Sequence, residues 1–161
     1  MELVTVIVLL GILALVTVGP TLSYIASMRS RTAAARIVTD IRYMQRLALA
    51  SGLRTWIVFN VAGNSYQLYM EDRNNLGKAS RIAATSPMDQ TTTGMTFGSS
   101  PFYGVSISSA TIGTGAEVEF DNWGTPYDTA GAAISSTATI SLSNGVSVSI
   151  QPVSGSVGRS G

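Results

Sequence analysis

The sequence offers a pair of side chains whose spacing suits acid–base chemistry, Glu117 and Glu119. They lie two residues apart in AEVEF, a segment that reads as a β-strand, so both point to one face of a sheet. Two carboxylates are the minimum that glycoside hydrolysis requires. No other feature indicates a pocket around them, and we expect a solvated strand face that complements the arginines of a neighbouring subunit.

Oxygen ligands for a metal are the second kind of chemistry that the sequence suggests, in DNWGTPYD at residues 121–128. Asp121, Asn122 and Asp128 could contribute to a calcium site, but Ca²⁺ takes six to eight oxygen ligands. Asn, Gly and Pro each favour turn geometry, so we interpret this segment as a turn. The acidic pair at residues 71–72 leads to the same interpretation, and we predict neither a metal nor a cofactor.

Two absent residue types exclude most other catalytic chemistry, since the 161 residues contain no cysteine and no histidine. The lack of Cys excludes a disulfide framework, a zinc finger and a cysteine nucleophile. The lack of His removes the Ser-His-Asp triad and the usual general base. We therefore predict no catalytic residues and no enzymatic activity.

The charge of the chain is low and unevenly distributed. Charged residues make up 12% of the sequence, while 38 residues are Ser or Thr, a composition that suits extracytoplasmic exposure better than nucleic-acid binding. Residues 1–81 hold nine basic and four acidic side chains, whereas residues 82–161 hold one basic and five acidic ones. We predict a charge dipole that gives packing against neighbours an electrostatic direction, with the helix arginines meeting acidic residues such as Glu117 and Glu119.

A long helix is predicted to begin the chain. The 26 residues between Glu2 and Arg29 have no formal charge, and this length is enough to cross a bilayer. A signal peptide would have a basic first region and a small-residue cleavage site, and a buried core helix would not continue as a polar helix. We therefore predict a transmembrane or filament-core helix over residues 1–28.

The same helix is predicted to continue as an amphipathic segment over residues 29–52, with apolar residues at helical spacing on one side and arginines on much of the rest. The apolar positions are Ile37, Ile41, Met44 and Ala48, and the arginines are Arg29, Arg31, Arg36, Arg42 and Arg46. Gly52 is expected to end the helix. Gly19-Pro20 lies in its middle and predicts a kink or a short melted stretch.

Residues 53–161 are predicted to form an antiparallel β-sheet domain. TWIVFNV and SYQLYME flank the turn signal Ala62-Gly63-Asn64, and ATISLS and VSVSIQ flank Asn144-Gly145, so each pair reads as a hairpin. GVSISSATI and AEVEF supply two more strands, and residues 72–103 read as a long surface loop. The fold class is therefore α+β, with one long kinked helix, hydrophobic in its first half, packed on a small antiparallel sheet.

Glu2 stands at the start of the apolar run, and two interpretations of it remain open. It can lie at the aqueous face of a membrane, where a carboxylate also favours the amino end of a helix. It can instead pair with a cation on a neighbouring chain, because an unpaired buried charge is costly and the pair would fix the register of the two chains.

The segment ELVTVIVLLGILA, Glu2 to Ala14, resembles the amino-terminal helix of type IV pilins and of the pseudopilins of type II secretion. In those families a prepilin peptidase cuts after a Gly, and the new terminus is usually an N-methylated Phe followed a few residues later by a Glu. Glu2 matches that Glu, and Gly11 and Pro20 fall at or near common Gly and Pro positions. Met1 directly precedes Glu2 without the leader and Phe of the pattern, so we assign no methylated terminus.

The order of motifs further along the chain is similar to the GspH/FimT-like branch of pseudopilins. There a helix that ends like DIRYMQRLALASG directly precedes a strand like TWIVFN, and F-D-x-x-G-x-P follows, here Phe120 to Pro126. Gly155 to Arg159 resemble the Gly-x-Val-Gly-Arg-like stretch near the end. Arg159 also resembles part of the Gly-Arg-x-Arg tail with which FimT-like pilins capture DNA, but Gly161 replaces the second Arg.

The resemblance implies a structural subunit of a type IV pilus-like extracellular filament. Such a subunit is first anchored in the inner membrane by a single span and is then extracted by the assembly machinery, so that its helix packs against identical helices. The resemblance assigns assembly roles to Glu2, Gly11, Gly19 and Pro20. Glu2 would dock each incoming subunit on a neighbour's amino terminus, and the Gly19-Pro20 break would let the helix stretch or melt during packing.

Two other functions remain open. A minor pseudopilin of a type II secretion system would be periplasmic and would belong to a heteromeric tip complex. A DNA-capturing pilin would use Arg159 as its nucleic-acid contact, although one cation supplies little affinity for phosphate.

Overall fold

A computed structural model describes residues 2–88 and 93–161 of the chain, with the backbone alone at residue 2 and residues 13–22. Its first element is helix α1, Glu2–Ser51. The helix ends where the sequence predicts, because Gly52 adopts a left-handed φ of 70° and its amide donates a hydrogen bond to the Ala48 carbonyl at 3.0 Å.

The backbone of α1 is helical through Gly19 and Pro20, so the predicted melted stretch is not present in this structure. Proline removes one backbone hydrogen bond and crowds the carbonyl four residues earlier. That loss does not interrupt a helix of 50 residues here. The predicted kink at this point stays a prediction.

Ten β-strands follow the helix in the described part of the chain. They are β1 Thr55–Asn60, β2 Ser65–Met70, β3 Ile82–Ala83, β4 Gly94–Thr96, β5 Ile107–Thr111, β6 Glu117–Phe120, β7 Pro126–Tyr127, β8 Ala138–Leu142, β9 Ser147–Ile150 and β10 Val157–Ser160. They form two antiparallel sheets rather than the one predicted. The first has the order β3-β2-β1-β6-β7 with β4 also paired to β2, and the second has the order β10-β9-β8-β5.

Four short strands lie outside the predicted strand segments. β3 and β4 lie within residues 72–103, which the sequence predicts as a loop, and both pair with the outer side of β2. β7 pairs with β6, and β10 pairs with β9. These strands are two to four residues long, too short to show an alternating pattern, so they form because a longer neighbour offers a free edge.

Both predicted hairpins are confirmed. Asn64 adopts a φ of 49° in the turn between β1 and β2. Asn144 and Gly145 adopt φ values of 62° and 72° between β8 and β9. Asn and Gly tolerate this left-handed region, which a tight turn between twisted strands requires.

α1 packs on both sheets through the predicted apolar stripe, because Ile37, Ile41, Met44 and Ala48 are fully buried. Burying an Ile or Met side chain completely stabilises a fold by about 1.5–3 kcal/mol. The stripe therefore holds the second half of α1 firmly against the domain.

Hydrogen bonds fix the position of α1 along the sheets. At one end of the packed region the side-chain Nδ2 of Asn144 donates a hydrogen bond to Ser30 Oγ at 2.9 Å. At the other end Gln45 Nε2 donates to the carbonyls of Gly124 and Ser154 at 2.9 and 2.8 Å. The helix cannot slide or rotate without breaking these bonds, so its outer side has a fixed direction.

Candidate functional site

The first part of α1 presents an apolar surface that the described chain leaves exposed. Eight large apolar side chains between Leu3 and Ile12 are 54–74% exposed. A contiguous apolar surface of this kind marks an interaction site. A Cβ at Gly11 would meet no atom within 4 Å, so the described chain does not itself require glycine there, and the position is open to close approach by another helix.

The other predicted assembly residues fall at positions that the structure describes only in part. The side chains of Glu2, Gly19 and Pro20 lie outside the described residues, so the docking role of Glu2 stays a prediction. The predicted span at residues 1–28 includes these same positions. In the part of the chain that the structure describes, no helix combines the length and the apolar character needed to cross a membrane.

The predicted carboxylate pair is buried within the first sheet. Glu117 and Glu119 lie in β6, which has a partner strand on each side, and they are 6 and 8% exposed. Glu117 forms ion pairs with Lys78 at 2.5 Å and with Arg81 at 3.1 Å. Arg81 also donates a hydrogen bond to Glu117 Oε2, whereas the contact with Lys78 does not have hydrogen-bond geometry. The prediction of a solvated strand face is wrong, because both carboxylates are buried. In the described residues their cationic partners are not the helix arginines: Lys78 and Arg81, from the segment after β2, pair with Glu117, and Arg54 pairs with Glu119.

Arg54, the residue before β1, holds two carboxylates of the same cluster. Its guanidinium lies 2.6 Å from Glu71 and 3.4 Å from Glu119, which also accepts a hydrogen bond from Trp56 Nε1 at 2.7 Å. Burial acts to raise the pKa of Glu71, but the hydrogen bonds and charge of Arg54 outweigh it and hold the pKa below its ordinary value. The same pairing raises the pKa of Arg54. These contacts bind β1, β2 and β6 together, and Glu119 and Arg54 also line a surface cavity of about 470 Å³.

The acidic residues at the two ends of DNWGTPYD hold turns, as the sequence predicts. Asp121 Oδ1 accepts hydrogen bonds from the amides of Trp123 and Thr125 at 2.9 and 2.8 Å. Asp128 Oδ1 accepts one from the Ala132 amide at 3.0 Å, and this bond is the main cause that holds the pKa of Asp128 below its ordinary value. Within residues 2–88 and 93–161, no cluster of three or more acidic side chains is arranged to hold a metal ion.

Sequence reasoning missed a buried polar network that joins α1 to the first sheet. Asp40 is fully buried and accepts hydrogen bonds from Arg36 at 3.2 Å, from the Tyr66 hydroxyl at 2.5 Å and from Ser86 at 2.8 Å. Burial and the neighbouring Asp40 charge raise the pKa of Tyr66. The signal that could have found the network is the spacing of Arg36 and Asp40, which are four residues apart on a helix.

Four exposed arginines form a second exposed surface, which we call the arginine face: Arg31, Arg42 and Arg46 of α1 and Arg159 of β10. Helix geometry places the three α1 residues on the side opposite the buried stripe. Arg42 donates to the Val157 carbonyl at 2.8 Å and Arg159 to the Arg31 carbonyl at 3.2 Å, so β10 and α1 contribute to one surface. No carboxylate in the described residues forms an ion pair with these arginines.

Among the described residues, the predicted charge dipole does not appear as an acidic face opposite a basic one. Seven acidic side chains are described, of which six are buried and one, Asp72, is half-buried. The four described acidic residues of the second half of the chain therefore lie inside the fold rather than on an acidic face. Most of the exposed charge in the described residues belongs to arginines.

Comparisons with known proteins support the fold. No protein-family model matches the sequence, and no curated protein matches it. Among solved structures, the chain is similar to the minor pseudopilin EpsH from the type 2 secretion system of Vibrio cholerae, with a TM-score of 0.58 and 11% sequence identity. The match covers 81% of this chain and 94% of that chain. The chain therefore has a pseudopilin fold, and the resemblance seen in the sequence is confirmed at the level of the fold.

Proposed function

We propose that this chain, which has a pseudopilin fold, is a structural subunit of a pilus-like filament and assembles through its amino-terminal helix. The observation that supports this most strongly is the apolar surface between Leu3 and Ile12, which is left exposed by the described residues. Leaving such side chains in water costs about 1.5–3 kcal/mol each. The segment therefore requires a second apolar environment.

Lipid and neighbouring helices can serve in turn as that environment. We propose that the helix anchors the subunit in the inner membrane before assembly and then packs against other helices in the filament. In a membrane, contact between helices depends on close packing rather than on the hydrophobic effect. Gly11 suits such packing because it has no side chain and no described atom of the chain lies within 4 Å of where its Cβ would be. In this proposal Glu2 pairs with a neighbour's amino terminus and so fixes the register of the incoming subunit.

The proposed role is structural rather than enzymatic. Glu117 and Glu119 form ion pairs with cations of the same chain, which supports a role for this pair in holding the domain together. The expected partners are other subunits, the inner membrane, the prepilin peptidase and the assembly machinery. The filament would be extracellular, or periplasmic if it belongs to a secretion system.

A minor pseudopilin of a type II secretion system is the second candidate function. EpsH, which has the same fold, is a minor pseudopilin. The specific observation that favours this candidate is the arginine face, because the described surface of a second copy offers few carboxylates to meet it. A subunit that occurs once or a few times in a heteromeric assembly does not need to complement itself.

Photocrosslinking from the apolar helix tests the proposal and separates its two forms. A photoreactive residue replaces Leu10 in the full chain, which is expressed with its assembly machinery, and crosslinked peptides are identified by mass spectrometry. A homopolymer predicts crosslinks to the amino-terminal helix of other copies, and a minor pseudopilin predicts crosslinks to the helix of a different subunit.

The matched control carries the same residue at Ile37, which is fully buried, and should yield no crosslink between chains. Crosslinks from position 10 to lipid alone, in cells that assemble the filament, would contradict both forms of the proposal.

A further inference from the structure

We infer that the arginine face docks on an acidic surface of a protein subunit other than a second copy of this chain. This inference rests on the second form of the proposed function, the minor pseudopilin, since it supposes that the chain assembles with subunits other than its own copies. It concerns the outer side of the second half of α1, whereas the proposed function depends on the apolar first half.

The arginines of this face have unused hydrogen-bonding capacity in a fixed arrangement. Arg31 and Arg42 are three helical turns apart, about 16 Å, and Arg46 is one turn further. The guanidinium of Arg42 is oriented by its bond to Val157 at 2.8 Å. A guanidinium has five N–H donors, so a single carbonyl leaves it able to bind a carboxylate as well.

A recess on this face brings together donors that can bind such a carboxylate. It has a volume of about 290 Å³ and is lined by Thr39, Arg42, Tyr43, Arg46 and Pro87. The two arginines, one turn apart, form part of its wall. Arginine binds a carboxylate through two parallel N–H bonds, and a partly desolvated site strengthens that contact.

The same side of α1 also displays apolar side chains, which favours a protein over a polyanion. Tyr24, Met28 and Leu49 are 41–62% exposed and share the helical spacing of Arg31 and Arg42. Tyr, Met and Arg are enriched in protein interfaces, while binding to a phosphate backbone depends mainly on the number of cations. A surface of arginines mixed with exposed apolar side chains therefore suits a protein partner better than DNA.

The described residues of a second copy offer little to complement this face. Among the described carboxylates only Asp72 is not buried, and its Oδ1 already accepts a hydrogen bond from the Asn74 amide at 2.9 Å. The other six are buried, held by cations, hydroxyls or amides of the same chain. To form ion pairs with the arginine face of another copy, these six carboxylates would have to leave their partners in their own chain.

A photoreactive residue at Ala35 tests the inference in the assembled state. Ala35 is exposed, one turn after Arg31 on the same side of α1, so its replacement keeps all four arginines. The expected result is a crosslink to a different protein at a peptide with Asp or Glu within one helical turn of the attachment point. Crosslinks to another copy of the chain, to DNA or to lipid would each overturn the inference.

Charge reversal supplies the second measurement. Arg46→Glu is expected to lower the crosslink yield from position 35 at least about tenfold, because placing like charges together in an interface costs several kcal/mol. Arg73→Glu makes the same charge change at an exposed position away from the arginine face and should leave the yield unchanged. Equal yields from both variants would overturn the inference, and circular dichroism confirms that each variant is folded.

Parallel crosslinking from position 10 separates the failure of this inference from failure of the proposed function. If position 10 captures other subunits while position 35 captures only copies of the chain, DNA or lipid, the filament role stands and the inference is wrong. If position 10 captures no subunit, the proposed function itself fails.

Discussion

The buried carboxylates and the arginine face differ in what they contact. Glu71, Glu117 and Glu119 are buried against cations of the same chain, and Asp40 is buried against Arg36 and two hydroxyls. In the described residues the arginine face donates side-chain hydrogen bonds to backbone carbonyls, and its four arginines are exposed. The buried carboxylates and the cations that pair with them thus hold the domain together, whereas the arginine face offers a surface.

This difference teaches that a nearly neutral chain can still present a charged surface. The formal net charge is +1, yet burial removes six of the seven described carboxylates from contact with a partner. The sign of a docking surface therefore depends on which charges the fold places outside. Substitutions of the buried carboxylates should therefore lower the stability of the fold, whereas substitutions on the arginine face should lower incorporation into the assembly.

The largest loss of stability is expected from Asp40→Ala. The substitution removes a fully buried carboxylate that accepts hydrogen bonds from Arg36 of α1, Tyr66 of β2 and Ser86, which follows β3. Breaking a buried pair in this way costs about 3–5 kcal/mol in the free energy of unfolding. Urea unfolding of the full chain in mild detergent, followed by circular dichroism, measures this, with Asp72→Ala as the half-buried control. A loss no larger than that of the control would show that the network does not hold α1 to the sheet.

A smaller loss is expected from Glu117→Gln. The amide fits the same space but no longer balances Lys78 and Arg81, whose side chains are 37 and 23% exposed. Water can partly solvate these two cations, so the expected cost is about 1–2 kcal/mol. The same unfolding measurement checks it at low and high salt, and the difference from the unsubstituted chain should shrink as salt screens the pair. An unchanged free energy of unfolding would place Glu117 outside the stabilising cluster.

The pH dependence of stability should reveal Glu71. Its pKa in the fold lies below the ordinary 4.5, so the stabilisation is complete above that value and is lost as the pH falls through the lowered pKa. Glu71→Gln should therefore flatten the fall in stability below pH 4.5, whereas Arg73→Gln should not. Acid titration of the melting temperature measures both slopes. Identical slopes in all three chains would contradict the assigned role of Arg54.

The smallest effect on stability is expected on the arginine face. Arg46→Ala removes an exposed side chain that makes no ion pair with a described carboxylate, so the free energy of unfolding should change by no more than about 0.5 kcal/mol. Incorporation into the native assembly should nevertheless fall. A loss of stability without a loss of incorporation would show that Arg46 stabilises the fold and does not bind a partner.

Much of the fold follows from local patterns in the sequence. The stripe of Ile37, Ile41 and Met44 and the terminator Gly52 determine the second half of α1, and the turn signal Asn144-Gly145 determines a hairpin. These signals depend on residues a few positions apart, where helical period and turn chemistry act directly.

The ion pairs could not be predicted in the same way, because they join distant segments. Glu119 meets Arg54 and Trp56 only because the register of β1 and β6 places Trp56 opposite Glu119. The formal charge of each half of the chain therefore misled the prediction of its surface. Arg36 and Asp40 are the exception, since their spacing of four residues was visible in the sequence.

Chemical footprinting of both kinds of charge tests the central distinction most directly. Carbodiimide labels accessible carboxylates and phenylglyoxal labels accessible arginines, and mass spectrometry compares the isolated chain with the native assembly. Among the described residues, labelling of carboxylates should be confined mainly to Asp72 in both states, while Arg31, Arg42, Arg46 and Arg159 should react in the isolated chain and become protected in the assembly. The distinction would be contradicted if Glu117 and Glu119 label as fast as Asp72, or if the four arginines react equally in both states.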